Sequence, residues 1–129
     1  MLFYNTEGST STLLKWARVP LVSYSRCNFD YPGKITPAHV CTDSNGGIDT
    51  CQGDSGGPLI CKGKAKDNIV QDVLAGVVSY GRECATGYAG VFTGVSYHHD
   101  FIEKGSVGYT ATTGSGLINN FLKFKFVQY

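Results

Sequence analysis

The runs from which this chain can build regular structure are short, rich in valine, leucine and tyrosine, and bordered by glycine. LLKWARVPLV (Leu13 to Val22), GPLIC (Gly57 to Cys61), VLAGVVSY (Val73 to Tyr80) and YAGVF (Tyr88 to Phe92) carry residue types that suit a pleated, half-buried surface. With 17 glycines among 129 residues, the pattern predicts a compact β protein with many turns rather than a helical bundle. Two segments read as helical. SYSRCNFDY, between Val22 and Pro32, has room for one or two turns begun by Ser23 as cap. SYHHDFIEKG (Ser96 to Gly105) reads as a short closing helix, capped by Ser96, with Tyr97 and Phe101 on one face and Gly105 as its stop. GKAKDN (Gly63 to Asn68) reads as a polar loop, and no internal repeat is visible.

The length suits one small domain with a modest core. Eleven basic and ten acidic residues leave a formal charge of +1, so no field directed at nucleic acid or a membrane surface is expected. No stretch approaches the apolar length needed to span a bilayer. The first ten residues, MLFYNTEGST, lack the basic flank and apolar run of a signal peptide. Five cysteines in so short a chain suggest an oxidising compartment and disulfides, with one sulfur left over. No CxxC or HxxxH spacing marks a metal site, and no cofactor is expected. After Gly105 the composition turns to small polar residues and then to LINNFLKFKFVQY. This final segment reads as a loosely ordered tail or as an added edge strand through Leu122, Lys123, Phe124, Lys125 and Phe126. Its two lysines and polar end argue against a lipid-anchor signal.

The stretch TCQGDSGGPLIC, Thr50 to Cys61, sets Ser55 among three glycines and beside Asp54. It formally matches the GxSxG elbow of α/β-hydrolases, but that elbow needs a helix directly after the serine. Two glycines and Pro58 follow here, so the elbow reading fails. GIDTCQGDSGGPLIC, followed by GVVSYGREC, GYAGVF and a helix with DFI, instead resembles the C-terminal half of trypsin-like serine proteases of the chymotrypsin fold. The resemblance covers roughly residues 7 to 104. It implies an all-β fold: an antiparallel Greek-key β-barrel, the C-terminal one of a two-barrel enzyme, closed by a short C-terminal helix. The domain expected on this basis runs over residues 1–104, with 105–129 as an extension.

The same resemblance assigns roles. Ser55 is implied as the nucleophile, and the backbone N–H groups of Gly53 and Ser55 as the oxyanion hole. Asp54, too close in sequence to stand behind a base, is implied to pair with an amino terminus released on activation. Asp49 is implied as the floor of the specificity pocket, where a buried carboxylate selects Lys or Arg. Gly81 and Gly90 are implied to keep the pocket walls open, and Ser79, Tyr80 and Gly81 to pair with substrate backbone. Tyr80 departs from the family's usual tryptophan, which is expected to alter the adjoining subsite and not the reaction. Cys27 with Cys41, and Cys51 with Cys84, match two family bridges. Cys61 aligns with a cysteine whose family partner lies upstream.

The family's base and its supporting aspartate come from preceding sequence. His39, in ITPAHVC, imitates the base's Ala-Ala-His-Cys context, but the inserted Val40 breaks the motif; it reads as a polar loop residue before a bridge. His98 and His99 fall in the closing helix, which the family packs far from the nucleophile. The function implied is therefore serine-type endopeptidase chemistry after Lys or Arg, through an acyl-enzyme on Ser55, with this chain close to inert by itself. The alternative is a non-catalytic homologue that binds proteins without cutting them. Protein or peptide substrates and protease inhibitors are the implied partners, in an extracellular setting. Self-association is expected through the face that would pack against the family's other barrel, or through Cys61.

Overall fold

The computed structural model describes residues 13–64 and 69–106. Four antiparallel strands form one curled sheet: β1 (His39–Thr42), β2 (Pro58–Lys64), β3 (Val70–Tyr80) and β4 (Gly90–Gly94). Their spatial order is β1-β4-β3-β2. Strands β2, β3 and β4 follow one another as neighbours while β1 returns beside β4, which is a Greek key. The sheet is thus the antiparallel half-barrel expected for the chymotrypsin-like barrel, with helices α1 (Tyr24–Asp30) and α2 (His99–Ser106) at its margins. The topology has one consequence for function. Strands β1 and β2 lie at opposite edges, so the chain between them, residues 43–57, must cross the sheet.

Local chemistry explains the elements. Ser23 caps α1 by accepting the Arg26 N–H at 3.2 Å. The helix stops where Tyr31 leaves helical geometry, before Pro32 and a left-handed Gly33. In β2, a Cβ at Gly63 would run into Val73 Cγ2, so a larger residue there would force the valine side chain aside. The disulfide Cys27–Cys41 ties α1 to β1. Around it packs the main core: Tyr31, Ile35, Ala89 and Val91, with Val22 at the margin.

Several elements depart from the sequence reading. Leu13 to Val22 is not a strand; it pairs with the sheet through an isolated bridge between Leu21 and Thr42. Val22 N–H donates to Cys41 O at 3.0 Å and Pro20 O accepts from Asp43 N–H at 2.9 Å, but Pro20 has no N–H with which to extend a ladder. Leu13, Leu14 and Trp16 are consequently about three-quarters or more exposed. Strand β1 was not anticipated; its four residues HVCT are too short to show alternation. His39 is therefore the first residue of a strand and not a loop residue. Strands β2 and β3 run longer than expected, taking in Lys62, Gly63, Lys64 and Val70–Asp72, while β4 begins at Gly90 rather than Tyr88. The closing segment opens with a 3-10 turn, Ser96–His98, which has no side-chain cap, so Ser96 is not the cap expected. Gly105 lies inside α2, and Tyr97 and Phe101 face solvent. Both readings of the C-terminal tail concern residues outside those described.

Removing the bridge between α1 and β1 with paired Cys27→Ala and Cys41→Ala substitutions is expected to lower the unfolding free energy by about 2–4 kcal/mol, measured by urea denaturation under oxidising conditions. Cys61 is the free cysteine and is part-exposed on β2. Native oxidised protein is therefore expected to titrate one thiol per chain with a thiol reagent, or to migrate as a dimer that reduction dissolves. A monomer with no titratable thiol contradicts this pairing.

Candidate active site

The crossing connection between β1 and β2 is held by its own backbone and by carboxylates. Asp54 N–H donates to Cys51 O at 3.0 Å, and Cys51 N–H donates to Asp54 Oδ2 at 2.9 Å, closing a reciprocal turn. Gly57 N–H donates to Asp54 O at 2.8 Å; a Cβ at position 57 would sit 2.8 Å from that same oxygen, so only glycine fits. The turn is fixed to β3 by Gly56 N–H on Val78 O, at 3.0 Å, and Val78 N–H on Gly57 O, at 2.9 Å. Gly53 and Gly56 have φ of 93° and 83°, the left-handed backbone that glycine supplies without strain. Ser55 sits between them and is exposed. The loop's recorded bonds use the N–H groups of Cys51, Asp54, Gly56 and Gly57. Those of Gly53 and Ser55 donate to no group among the described residues.

Asp49 lies in the same connection and is buried, at 9% exposure. Its Oδ1 accepts the Thr50 N–H at 2.7 Å and its Oδ2 accepts the Ala85 N–H at 3.1 Å. Burial pushes its pKa above the ordinary carboxylate value; the bonds from Ala85 and Thr50 oppose that rise, and the nearby Asp54 charge adds to it. Among the described residues no cation pairs with it. The disulfide Cys51–Cys84 fastens its loop to the segment bearing Ala85. A Cβ on Gly90 would come 2.9 Å from Asp49 Oδ1 and 3.0 Å from Thr42 Oγ1. At Gly81 a Cβ would meet only Tyr31 Oη, at 4.0 Å. Gly90 is thus packed directly on the carboxylate, whereas Gly81 borders open space.

Helix α1 sets the segment between β3 and β4. Tyr31 Oη donates to Ala89 O at 2.7 Å and accepts the Arg82 N–H at 3.1 Å, so one hydroxyl joins both sides of the segment. Burial raises the pKa of this phenol. Asp30, also buried, accepts the Ala89 N–H at 2.9 Å on Oδ2 and pairs with Arg26 through Oδ1. Arg26 in turn donates to Gly87 O at 3.1 Å, and Ser44 Oγ donates to Tyr88 O at 2.7 Å. Sequence reasoning missed Asp30, Tyr31 and Arg82. The i, i+4 spacing of Arg26 and Asp30 was a visible signal for an ion pair on a helix, though not for its burial.

Ser79 and Tyr80 end β3, where the register with β4 shifts between Val78 and Tyr80 and leaves Ser79 as the additional residue. The Tyr80 ring meets Tyr31 edge-on at 5.7 Å and His39 at 6.0 Å between centroids. His39 Nδ1 accepts the Thr36 N–H at 3.0 Å. His98 Nδ1 lies 2.9 Å from Gly94 O, and His99 lies on α2. The ligand atoms of His99, Asp100 and Glu103 fall within 4.8 Å of one another, but all three residues are exposed, and His99 and Glu103 have the i, i+4 spacing of ordinary surface ion pairs. The structure therefore brings Asp49, the Gly53–Ser55 turn, Gly90 and the Ser79–Gly81 strand end onto adjoining segments, joined by the Cys51–Cys84 bridge and the Gly56 and Gly57 bonds to Val78.

A family model described as Trypsin matches residues 4–102. The chain is 42% identical over 109 residues to trypsin-1 of Salmo salar, covering 81% of this chain and 41% of the relative. It is 45% identical over 103 residues to trypsin-1 of Astacus astacus, covering 78% of this chain and 41% of that one. Against kallikrein-8 of Rattus norvegicus it is 41% identical over 93 residues, covering 70% of this chain and 32% of the relative. The chain thus spans less than half the length of these curated relatives. The antiparallel Greek-key sheet, the two disulfides and a family match over most of the sequence lead to one conclusion: this chain belongs to the trypsin family of serine proteases.

Proposed function

We propose that this chain carries the nucleophile and the primary specificity pocket of an endopeptidase that cleaves after Lys or Arg. The observation that carries the reading is the buried, cation-free Asp49 carboxylate under Gly90, on the same connection as exposed Ser55. A substrate ammonium or guanidinium entering beside Gly81 and Gly90 gives that carboxylate the cation it lacks among the described residues. Substrate backbone pairs with Ser79, Tyr80 and Gly81 and presents its carbonyl to Ser55. Ser55 Oγ attacks the carbonyl carbon, and the Gly53 and Ser55 N–H groups, left without partners by the loop's own bonding, receive the developing oxyanion. The amine leaves with a proton, an ester remains on Ser55, and water hydrolyses it. Asp54 is proposed to exchange part of its turn-closing role for an activating amino terminus.

The proton transfers need a base with its supporting acid. His39 has Nδ1 committed to Thr36, and His98 and His99 belong to the closing helical segment, so none of the three is proposed as that base. General-base assistance is worth about 10²–10⁴ in rate, and the 129 residues by themselves are proposed to be close to inert. The second reading proposed is a non-catalytic homologue that captures substrates or inhibitors without cutting them. A chain that binds arginine peptides but does not cleave them even when joined to an upstream half bearing His and Asp favours that reading. The functional unit proposed is residues 1–104, and the partners proposed are protein substrates and protease inhibitors. Self-association is proposed through the exposed Leu13, Leu14 and Trp16 segment or through Cys61. The two disulfides support an extracellular setting.

Benzamidine, whose amidinium mimics an arginine head group, is expected to bind the chain, and Asp49→Asn is expected to abolish that binding in calorimetry. Gly90→Ala is expected to weaken it strongly, because the added methyl falls on the Asp49 oxygen and Thr42. The pH dependence has a definite sign. Because burial raises the Asp49 pKa, protonation sets in at higher pH than for an ordinary aspartate, and benzamidine affinity falls as pH drops through that range. Binding there releases protons, since the cation favours the charged carboxylate. Without ligand, the raised pKa means that Asp49 costs stability above it; this cost shrinks as pH falls below the raised value and is gone below the ordinary carboxylate value of the unfolded chain. Joined to an upstream half carrying the acid–base pair, the protein is expected to prefer Lys or Arg before the cut bond; a preference for aromatic residues there would overturn the proposal.

A further inference from the structure

Arg82 follows Gly81 directly, at the rim of the segment that borders Asp49. Its guanidinium lies over the Tyr88 ring, 4.2 Å from the centroid, and 5.7 Å from the centroid of Tyr31. Its own N–H is fixed to Tyr31 Oη at 3.1 Å. Stacking on an aromatic face holds a guanidinium in place while leaving the N–H donors along its edge directed outward. Among the described residues no carboxylate pairs with it; Asp30 is taken by Arg26, and Glu83, next in the chain, makes no ion pair with it. Arg82 is an exposed residue, open to a ligand from solvent.

We infer that Arg82 is a specificity-determining residue that favours an acidic side chain on the bound peptide, upstream of the basic residue held by Asp49. The inference rests on the pocket reading above. A peptide that pairs antiparallel with Ser79–Gly81 runs backward along the strand as β3 runs forward. The residue facing Arg82 is then about two to three positions before the one in the Asp49 pocket, given the residue-by-residue pairing of antiparallel strands. A carboxylate there meets a pre-placed, planar fork of donors, and the recognised peptide carries an acidic residue followed shortly by a basic one. A lysine at the same position meets a like charge.

The test measures dissociation constants of the 129-residue chain for peptides ending in arginine amide that carry Glu, Gln or Lys at the position facing Arg82, each in competition with a fluorescent benzamidine derivative. Expected is an order of Glu tightest, then Gln, then Lys, with a Glu-over-Gln ratio of about 2- to 5-fold as for an exposed ion pair. The ratio is expected to shrink toward unity at ~1 M salt. It is expected to vanish in Arg82→Gln, to reverse in Arg82→Glu and to persist in reduced form in Arg82→Lys. Equal affinities for the Glu and Gln peptides overturn the inference, as does a preference that survives in Arg82→Gln. If arginine peptides bind without charge preference, the pocket reading stands and this inference alone falls. If neither the peptides nor benzamidine bind, the pocket reading and the inference resting on it fall together.

Discussion

Main-chain N–H groups in the segments around Ser55 have no strand to pair with, and side-chain carboxylates accept them instead. Asp54 receives Cys51, Asp49 receives Thr50 and Ala85, and Asp30 receives Ala89. Buried donors left without an acceptor would cost about 1–3 kcal/mol each, so these bonds decide where the loops can lie. The order of the sheet creates the need. With β1 and β2 at opposite edges, the crossing connection cannot join any ladder and must be organised from within.

The three carboxylates differ in what surrounds them, and this separates structure from proposed function. Asp30 is buried but paired with Arg26, so its charge is already balanced and its role is to set Ala89 and, through Arg26, Gly87. Asp54 closes a four-residue turn. Asp49 is buried with neutral donors from Thr50 and Ala85 and no cation among the described residues, and burial raises its pKa. A carboxylate in that condition gains from a cation brought by a ligand, which is why it bears the proposed specificity. Tyr31 couples the arrangement, since one phenol bonds to Ala89 before Gly90 and to Arg82 after Gly81.

The exposed apolar residues show the other side of the same architecture. Leu13, Leu14 and Trp16 precede the single bridge at Leu21, and Phe101 and Ile102 stand out from α2. The main buried cluster is confined to the α1–β1–β4 side, around the Cys27–Cys41 bridge. A small sheet buries little apolar surface by itself, which makes the bridges a large share of what holds it.

The β character of the chain, the cap at Ser23, and the strands around Leu59, Val77 and Val91 were legible in sequence, because glycine borders and β-branched runs report local preference. So was the serine stretch, whose two glycines and proline exclude a following helix and force the turn that the structure contains. The two cysteine pairs were legible through family resemblance, and the structure has both. Strand β1 and the failure of Leu13 to Val22 to form one were not legible. A strand exists only where a partner supplies hydrogen bonds, and β4 supplies them to His39–Thr42, whereas the earlier segment has one bridge and a proline. The burial of Asp30, the bridging phenol of Tyr31 and the stacking of Arg82 on Tyr88 were likewise beyond the sequence, whereas the burial of Asp49 was implied by the family resemblance. The phenol joins residues 58 positions apart, the stacking depends on how the chain turns between Arg82 and Tyr88, and burial depends on how much water is excluded; only the packing of helix, sheet and connection against one another decides these.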